Sequence, residues 1–172
     1  MTYTNNDFEI IFKLLDGNYS KFNKKNILII GGTGFIGKYL LQTLAYIKEN
    51  TDIIFNVTVI DNFKTSDKND LSFYEKNNFK LEEHDILNKY DTDNVFDMII
   101  FLAGIASPYY YNKYPLETLR LSVQGLENAF NIPHSKDAKF VFFSSSEIYG
   151  DPDEKNIPTK EDYRGNVASI GP

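Results

Sequence analysis

The sequence predicts an α/β fold built on a doubly wound parallel sheet. Three observations carry that prediction. Short apolar runs alternate with stretches of helical periodicity along the chain. The runs are apolar throughout rather than at every second residue, which suits parallel strands covered on both faces. Right-handed crossovers then wind the sheet in two directions from its centre. Finally, a glycine-rich turn falls between the first apolar run and the first long helical stretch.

The elements follow in order. Phe8, Ile11, Phe12 and Leu15 share one helical face, so residues 6–16 are expected to form an amphipathic helix on the outside of the domain. Residues 1–24 are read as a helical N-terminal extension and 25–172 as the main domain. Asn26–Ile30 is the first strand. Phe35–Lys48 is a helix with apolar residues at Phe35, Ile36, Tyr39, Leu40, Leu44 and Ile47. Ile53–Ile60 is rich in β-branched residues and reads as the second strand. Leu71–Lys76 is a short helix, Phe79–Glu83 a third strand and Asp97–Leu102 a fourth. Tyr109, Tyr110 and Tyr111 follow in what reads as an aromatic loop. Pro115–Phe130 is a helix with proline in its first turn, and Lys139–Ser144 a fifth strand. Gly171-Pro172 fits neither a helix nor a strand and reads as loop.

Composition narrows the function classes. The chain has 172 residues, 42% apolar and 15% aromatic, enough to build a core. It has no cysteine and only two histidines, His84 and His134, fifty residues apart, so a disulfide framework is excluded and no metal site is expected. A net charge of −6 with two arginines argues against nucleic acid or anionic membrane as a partner. The N-terminus lacks the pattern of a signal peptide, and the longest apolar stretch, Met98–Ala106, falls well short of the ~18 residues of a membrane span. The expected location is therefore the cytoplasm.

The turn carries the chemistry. Gly31, Gly34 and Gly37 repeat as G-x-x-G-x-x-G between strand and helix. One glycine permits the tight exit from the strand, one lets backbone approach a pyrophosphate, and one lets the helix pack on the strand. The helix N-terminus offers free N–H groups and partial positive charge to the anion. Asp61 ends the second strand 24 residues beyond Gly37, where a dinucleotide fold places a carboxylate on the ribose hydroxyls. A carboxylate there repels a 2′-phosphate, so NAD is favoured over NADP; Lys64 weakens that preference without reversing it. The fold is thus expected to be Rossmann-like.

These segments resemble the extended short-chain dehydrogenase/reductase family of NAD-dependent epimerases, dehydratases and decarboxylases acting on nucleotide sugars. Gly31, Gly34, Phe35, Ile36 and Gly37 match its glycine turn. Asp61-Asn62-Phe63 resembles its ribose-binding segment. Asp85 and Ile86, in His84-Asp85-Ile86, resemble the segment that meets the adenine. Leu102-Ala103-Gly104 resembles the strand end beside the cofactor. Ser144-Ser145-Ser146-Glu147-Ile148-Tyr149-Gly150 resembles the fifth-strand end that carries the catalytic hydroxyl. The resemblance implies Ser145 as that hydroxyl. Ser146 followed by Glu147 is the pattern of the UDP-glucuronate decarboxylases, which implies Glu147 as a proton-exchanging group, expected to be buried at the end of the sheet. Ser107, Tyr111, Ser146 and Tyr163 are similar to that group's substrate-contacting positions. Ser122 and Leu126 depart from the Asn and Thr frequent in the family.

The resemblance implies NAD as cofactor and a UDP-sugar or other nucleotide sugar as substrate, decarboxylated through a 4-keto sugar. A 4,6-dehydratase or epimerase, and a non-catalytic NAD-binding or partner-binding fragment, remain as alternatives. The family also needs a Tyr and Lys spaced Y-x-x-x-K on the helix after the Ser strand. That helix is expected just beyond Asn166–Pro172, so the sequence is expected to stop short of it and of the substrate domain. The literal Y-x-x-x-K here, Tyr109 to Lys113, precedes Ser145. An apolar face left uncovered in this way implies a homo-oligomer or a complementary C-terminal chain.

Overall fold

The computed structural model describes residues 5–66 and 71–167. The chain divides into two compact units, Met1–Phe142 and Phe143–Pro172. Gly171-Pro172, read above as loop, lies outside the described residues.

The first unit is built on five parallel strands: β1 (Asn26–Ile30), β2 (Asn56–Asp61), β3 (Phe79–Glu83), β4 (Met98–Phe101) and β5 (Lys139–Phe142), in spatial order β3-β2-β1-β4-β5. β1 is central, with Ile27 facing both Val57 of β2 and Met98 of β4 in register. Its side chains alternate between two cores. Ile27 and Ile29 join Leu41, Leu44 and Ile47 on one face of the sheet, while Leu28 and Ile30 join Phe96, Phe101 and Ala129 on the other. A strand buried this way has no polar face, which is why its sequence reads as an unbroken apolar run.

One face carries α1 (Asn5–Leu14), α2 (Phe35–Asn50) and α3 (Leu71–Lys76). α1 packs on α2 through Phe8 against Tyr39 and Phe12 against Tyr46, ring centroids 6.0 and 5.6 Å apart. The other face carries α4 (Pro108–Lys113), α5 (Pro115–Arg120) and α6 (Leu126–Phe130). α5 and α6 are joined without a break by a π-helical turn, Leu121–Gly125.

Three expectations are corrected. The second strand starts at Asn56, not Ile53, because Ile54 pairs with the preceding segment: its carbonyl accepts from Lys24 N at 2.6 Å and its N–H donates to Asn23 Oδ1 at 3.1 Å. The fifth strand ends at Phe142 rather than Ser144. The tyrosine run is the helix α4, with Ser107 as N-cap and Pro108 in its first turn, a position where proline costs no hydrogen bond. Among the described residues, no helix is long and apolar enough to cross a membrane.

Candidate functional site

Where β1 and β4 part company, their crossovers run to opposite faces of the sheet. A crevice opens at the strand C-termini there, as the geometry of open α/β sheets dictates. The ends of β1, β2 and β4 supply Gly31, Asp61 and Leu102-Ala103-Gly104; the segment after β3 supplies His84-Asp85-Ile86-Leu87; α5 and the π turn supply Glu117 and Leu121.

The glycine turn is fixed by close packing. Gly31 has φ +79°, and a Cβ on it would lie 2.6 Å from the Ala103 backbone; only glycine meets both conditions. A Cβ on Gly37 would run into the carbonyl of Gly32, so α2 leaves β1 at a distance no side chain allows. At Gly34, the N-cap of the 16-residue α2, a Cβ would meet only the Gly31 carbonyl, at 3.5 Å. The first amides of α2 lack intrahelical partners by the geometry of any helix start, and they emerge beside this open space.

Asp61 organises the adjoining wall. Its Oδ2 accepts from the Thr33 amide at 3.1 Å and its Oδ1 from the Phe63 amide at 2.9 Å. Among the described residues each oxygen keeps a second acceptor site, so the carboxylate can still take a diol. The Thr33 and Ser66 hydroxyls meet at 2.5 Å and tie the loop after β2 to the glycine turn. Asp85 Oδ2 accepts from Asn62 Nδ2 at 3.1 Å, and its Oδ1 from the Leu87 amide at 3.0 Å. Opposite, Lys64 Nζ lies 3.1 Å from Glu117 Oε1 and 4.2 Å from the centroid of the Tyr114 ring. The Glu117 carboxyl is held below its ordinary value by its own backbone N–H and then by the Lys64 ammonium.

The structure brings Gly31, Gly34, Asp61, Asn62, Asp85, Ile86, Leu102, Ala103 and Gly104 to this crevice. It does not bring Phe35, Ile36, Gly37 or Phe63 to the lining. Phe35 and Ile36 are 60% and 51% exposed, Gly37 serves packing, and Phe63 shapes the loop with φ +55°. His84 is half-buried, its ring centroid 5.0 Å from that of Tyr90. His134 is an exposed turn residue. Ser107 and Tyr111 are exposed on α4 and do not line the crevice. Tyr109 and Lys113, also on α4, are exposed and lie one helical turn apart, Lys113 Nζ 5.9 Å from the Tyr109 ring centroid.

Sequence reasoning did not place Thr33, Thr65, Ser66, Leu87, Glu117 or Leu121 in the site. It also missed Gln124 and Asn128. Their side-chain amides donate to the carbonyls of Leu87 and Ile86, both at 2.8 Å, and so hold the segment that carries Asp85. Gly125 leaves room for one of these side chains, since a Cβ there would lie 2.8 Å from Leu121 Cδ1.

In the second unit, Ser146–Tyr149 form one 3-10 turn, and Ser145 Oγ accepts from the Glu147 amide at 3.2 Å. Gly150 pairs with Asn166 in an isolated parallel bridge. That bridge brings the Tyr163 ring to 6.4 Å from the ring of Tyr149. Ser145, Ser146 and Tyr163 therefore share one unit with Glu147. Glu147 is exposed, which corrects the expectation of a buried carboxyl: it is carried by a 3-10 turn that buries none of its residues.

Residues 27–170 match the model of the NAD dependent epimerase/dehydratase family. The chain is 36% identical over 154 residues to UDP-glucuronic acid decarboxylase 1 of Danio rerio, covering 89% of this chain and 34% of that protein. It is 37% identical over 146 residues to UDP-glucuronic acid decarboxylase 1 of Arabidopsis thaliana, covering 84% and 31%. The chain thus spans about a third of the length of these curated relatives. Its fold is similar to that of UDP-glucose-4-epimerase from Stenotrophomonas maltophila, solved with bound NAD and formylated UDP-arabinopyranose (TM-score 0.62, 19% identity, 85% of this chain and 43% of that one). It is also similar to UDP-N-acetylglucosamine 4-epimerase from Methanobrevibacter ruminantium (TM-score 0.59, 26% identity, 84% and 45%).

Proposed function

The chain belongs to the NAD dependent epimerase/dehydratase family, and from that premise we propose that residues 25–172 supply the cofactor-binding portion of a nucleotide-sugar enzyme of the UDP-glucuronate decarboxylase kind, with residues 1–24 as an N-terminal helical extension. One observation carries the reading: a crevice at the sheet's switch point has the open start of a 16-residue helix and, on the adjoining wall, the Asp61 carboxylate. Those residues fit a dinucleotide. The α2 amides beside Gly34 receive its pyrophosphate, Asp61 accepts hydrogen bonds from the adenosine ribose, and Asp85 faces the adenine amine, with Asn62 and Ile86 completing that end. Leu102, Ala103 and Gly104 flank the nicotinamide half.

NAD, when bound, supplies the hydride acceptor and later the hydride donor for the sugar's C4. Ser145 orients the 4-hydroxyl by hydrogen bonding, and Glu147 moves a proton during loss of the carboxylate as carbon dioxide. Ser107, Tyr111, Ser146 and Tyr163 contact the sugar nucleotide. An epimerase is the second reading, favoured by the likeness to the Methanobrevibacter enzyme. The partner is a second copy or a complementary chain.

Calorimetric titration of NAD into the chain tests the carrying observation. Saturable binding is expected, weakened about tenfold or more by Asp61→Ala through the lost charge-assisted hydrogen bonds; no binding, or equal binding by the variant, overturns the reading. Release of carbon dioxide from UDP-glucuronate by an enzyme carrying this chain separates decarboxylase from epimerase, because an epimerase retains every sugar carbon.

A further inference from the structure

Among the described residues that line the crevice, three carry carboxylates, Asp61, Asp85 and Glu117, and Lys64 is the only lysine or arginine. Lys64 lies three residues beyond Asp61, in the loop that a Rossmann-like site uses to distinguish a ribose 2′-hydroxyl from a 2′-phosphate. A cation in that loop ordinarily favours the phosphate. Here the ammonium points elsewhere. It reaches across the crevice mouth to Glu117 on α5, 53 positions away in sequence, and sits over the Tyr114 ring. The loop holds this course through two local hydrogen bonds, from the Phe63 amide to Asp61 Oδ1 and from the Lys64 amide to Asn62 Oδ1, at 2.9 and 3.0 Å.

We propose that Glu117 is a specificity-determining residue for the dinucleotide. By holding the Lys64 ammonium against the far wall, it withdraws that charge from a 2′-phosphate. Two carboxylates then act in series: Asp61 repels the phosphate directly, and Glu117 removes the charge that would offset that repulsion. Replacing Glu117 by an isosteric neutral side chain frees the lysine to swing back along its own loop. A phosphate dianion placed there gains an ion pair, while a ribose hydroxyl gains far less. The effect is selective for the phosphorylated cofactor and weakens with salt, as for any partly exposed pair.

This inference rests on the dinucleotide reading of the crevice, and one experiment separates their failures. NADH and NADPH are titrated by fluorescence into the intact chain and into Asp61→Ala, Glu117→Gln and Glu117→Gln/Lys64→Ala variants, with circular dichroism melts as a folding control. Glu117 is half-exposed on a helix, so glutamine is accommodated there. The expected result is a rise of about fivefold in the NADPH-to-NADH affinity ratio for Glu117→Gln at low salt. That rise should shrink in 0.5 M salt and disappear in the double variant. If NADH binds in an Asp61-dependent way and Glu117→Gln leaves the ratio unchanged, or if the rise survives loss of Lys64, the specificity role is overturned while the dinucleotide reading stands. If neither cofactor binds the intact chain, both fall.

Discussion

Asp97 shows how one side chain can close an end of the sheet. It precedes β4, and its carboxylate accepts from the Asn26 amide at 2.8 Å and from Lys25 Nζ at 2.9 Å, so it joins the starts of β1 and β4. Its own carbonyl accepts from the Lys139 amide at 2.8 Å at the start of β5. The Asn26 amide, and after it the Lys25 ammonium, hold the carboxyl below its ordinary value. A carboxyl depressed in the folded state stabilises the fold above its unfolded value near 3.9, and that contribution fades as pH falls through the lower folded value. The side chain is 35% exposed, so solvent screens the ion pair. Asp97→Asn should therefore cost only about 1 kcal/mol at pH 7. The gap between wild type and variant should narrow below roughly pH 4. Urea denaturation of both proteins from pH 7 to pH 3 checks this; a gap that stays constant down to pH 3 would place the loss in packing instead of charge.

At the scale of elements, the helical run from α5 through α6 both roofs the sheet and positions the segment after β3. Asn128 is half-buried and donates to Ile86 O, while Gln124 donates to Leu87 O. Asn128→Ala leaves the Ile86 carbonyl without that donor, at an expected cost of about 1 kcal/mol. It should also speed amide exchange at Leu87 and Asn88, whose N–H groups both bond to Asp85; unchanged exchange there would mean that Asp85 alone holds the segment. What the sequence could disclose follows from the same distinction between local and distant causes. β1, β3 and α3 have the bounds read from the sequence because continuous apolar runs and helical spacing are local signals. Asp61 was legible because a strand end and a fixed distance from a glycine turn are also local. α4 was not, since two prolines bracket four tyrosines and tyrosine is a modest helix former. The Lys64–Glu117 pair and the Gln124 and Asn128 anchors were not legible either, because each joins segments that only the pairing of β4 beside β1 brings together.

The first unit as a whole leaves one surface poorly satisfied. Leu116, Leu119 and Val123 recur at helical spacing along the α5–α6 run and are exposed, as are Phe130, whose ring stacks on Phe140 of β5 with centroids 4.1 Å apart, and Phe142 on the edge strand β5. The contrast with the centre of the sheet is sharp: four of the five residues of β1 are buried, and none of the four in β5 is. Large apolar side chains exposed near one another mark a surface that another chain can cover. Each large side chain withdrawn from water contributes about 1.5–3 kcal/mol of gross burial, so partial covering of four or five of them rivals the net stability of a domain. Concentration-dependent association is therefore expected in sedimentation equilibrium, with a lower thermal midpoint on dilution. Leu119→Glu with Val123→Glu should shift the protein toward monomer. Both sites face water, so the helix itself should survive the change. A wild-type chain that sediments as a monomer at every concentration, and melts sharply and reversibly, would mean that this surface needs no cover and that the core beneath β1 and β4 suffices.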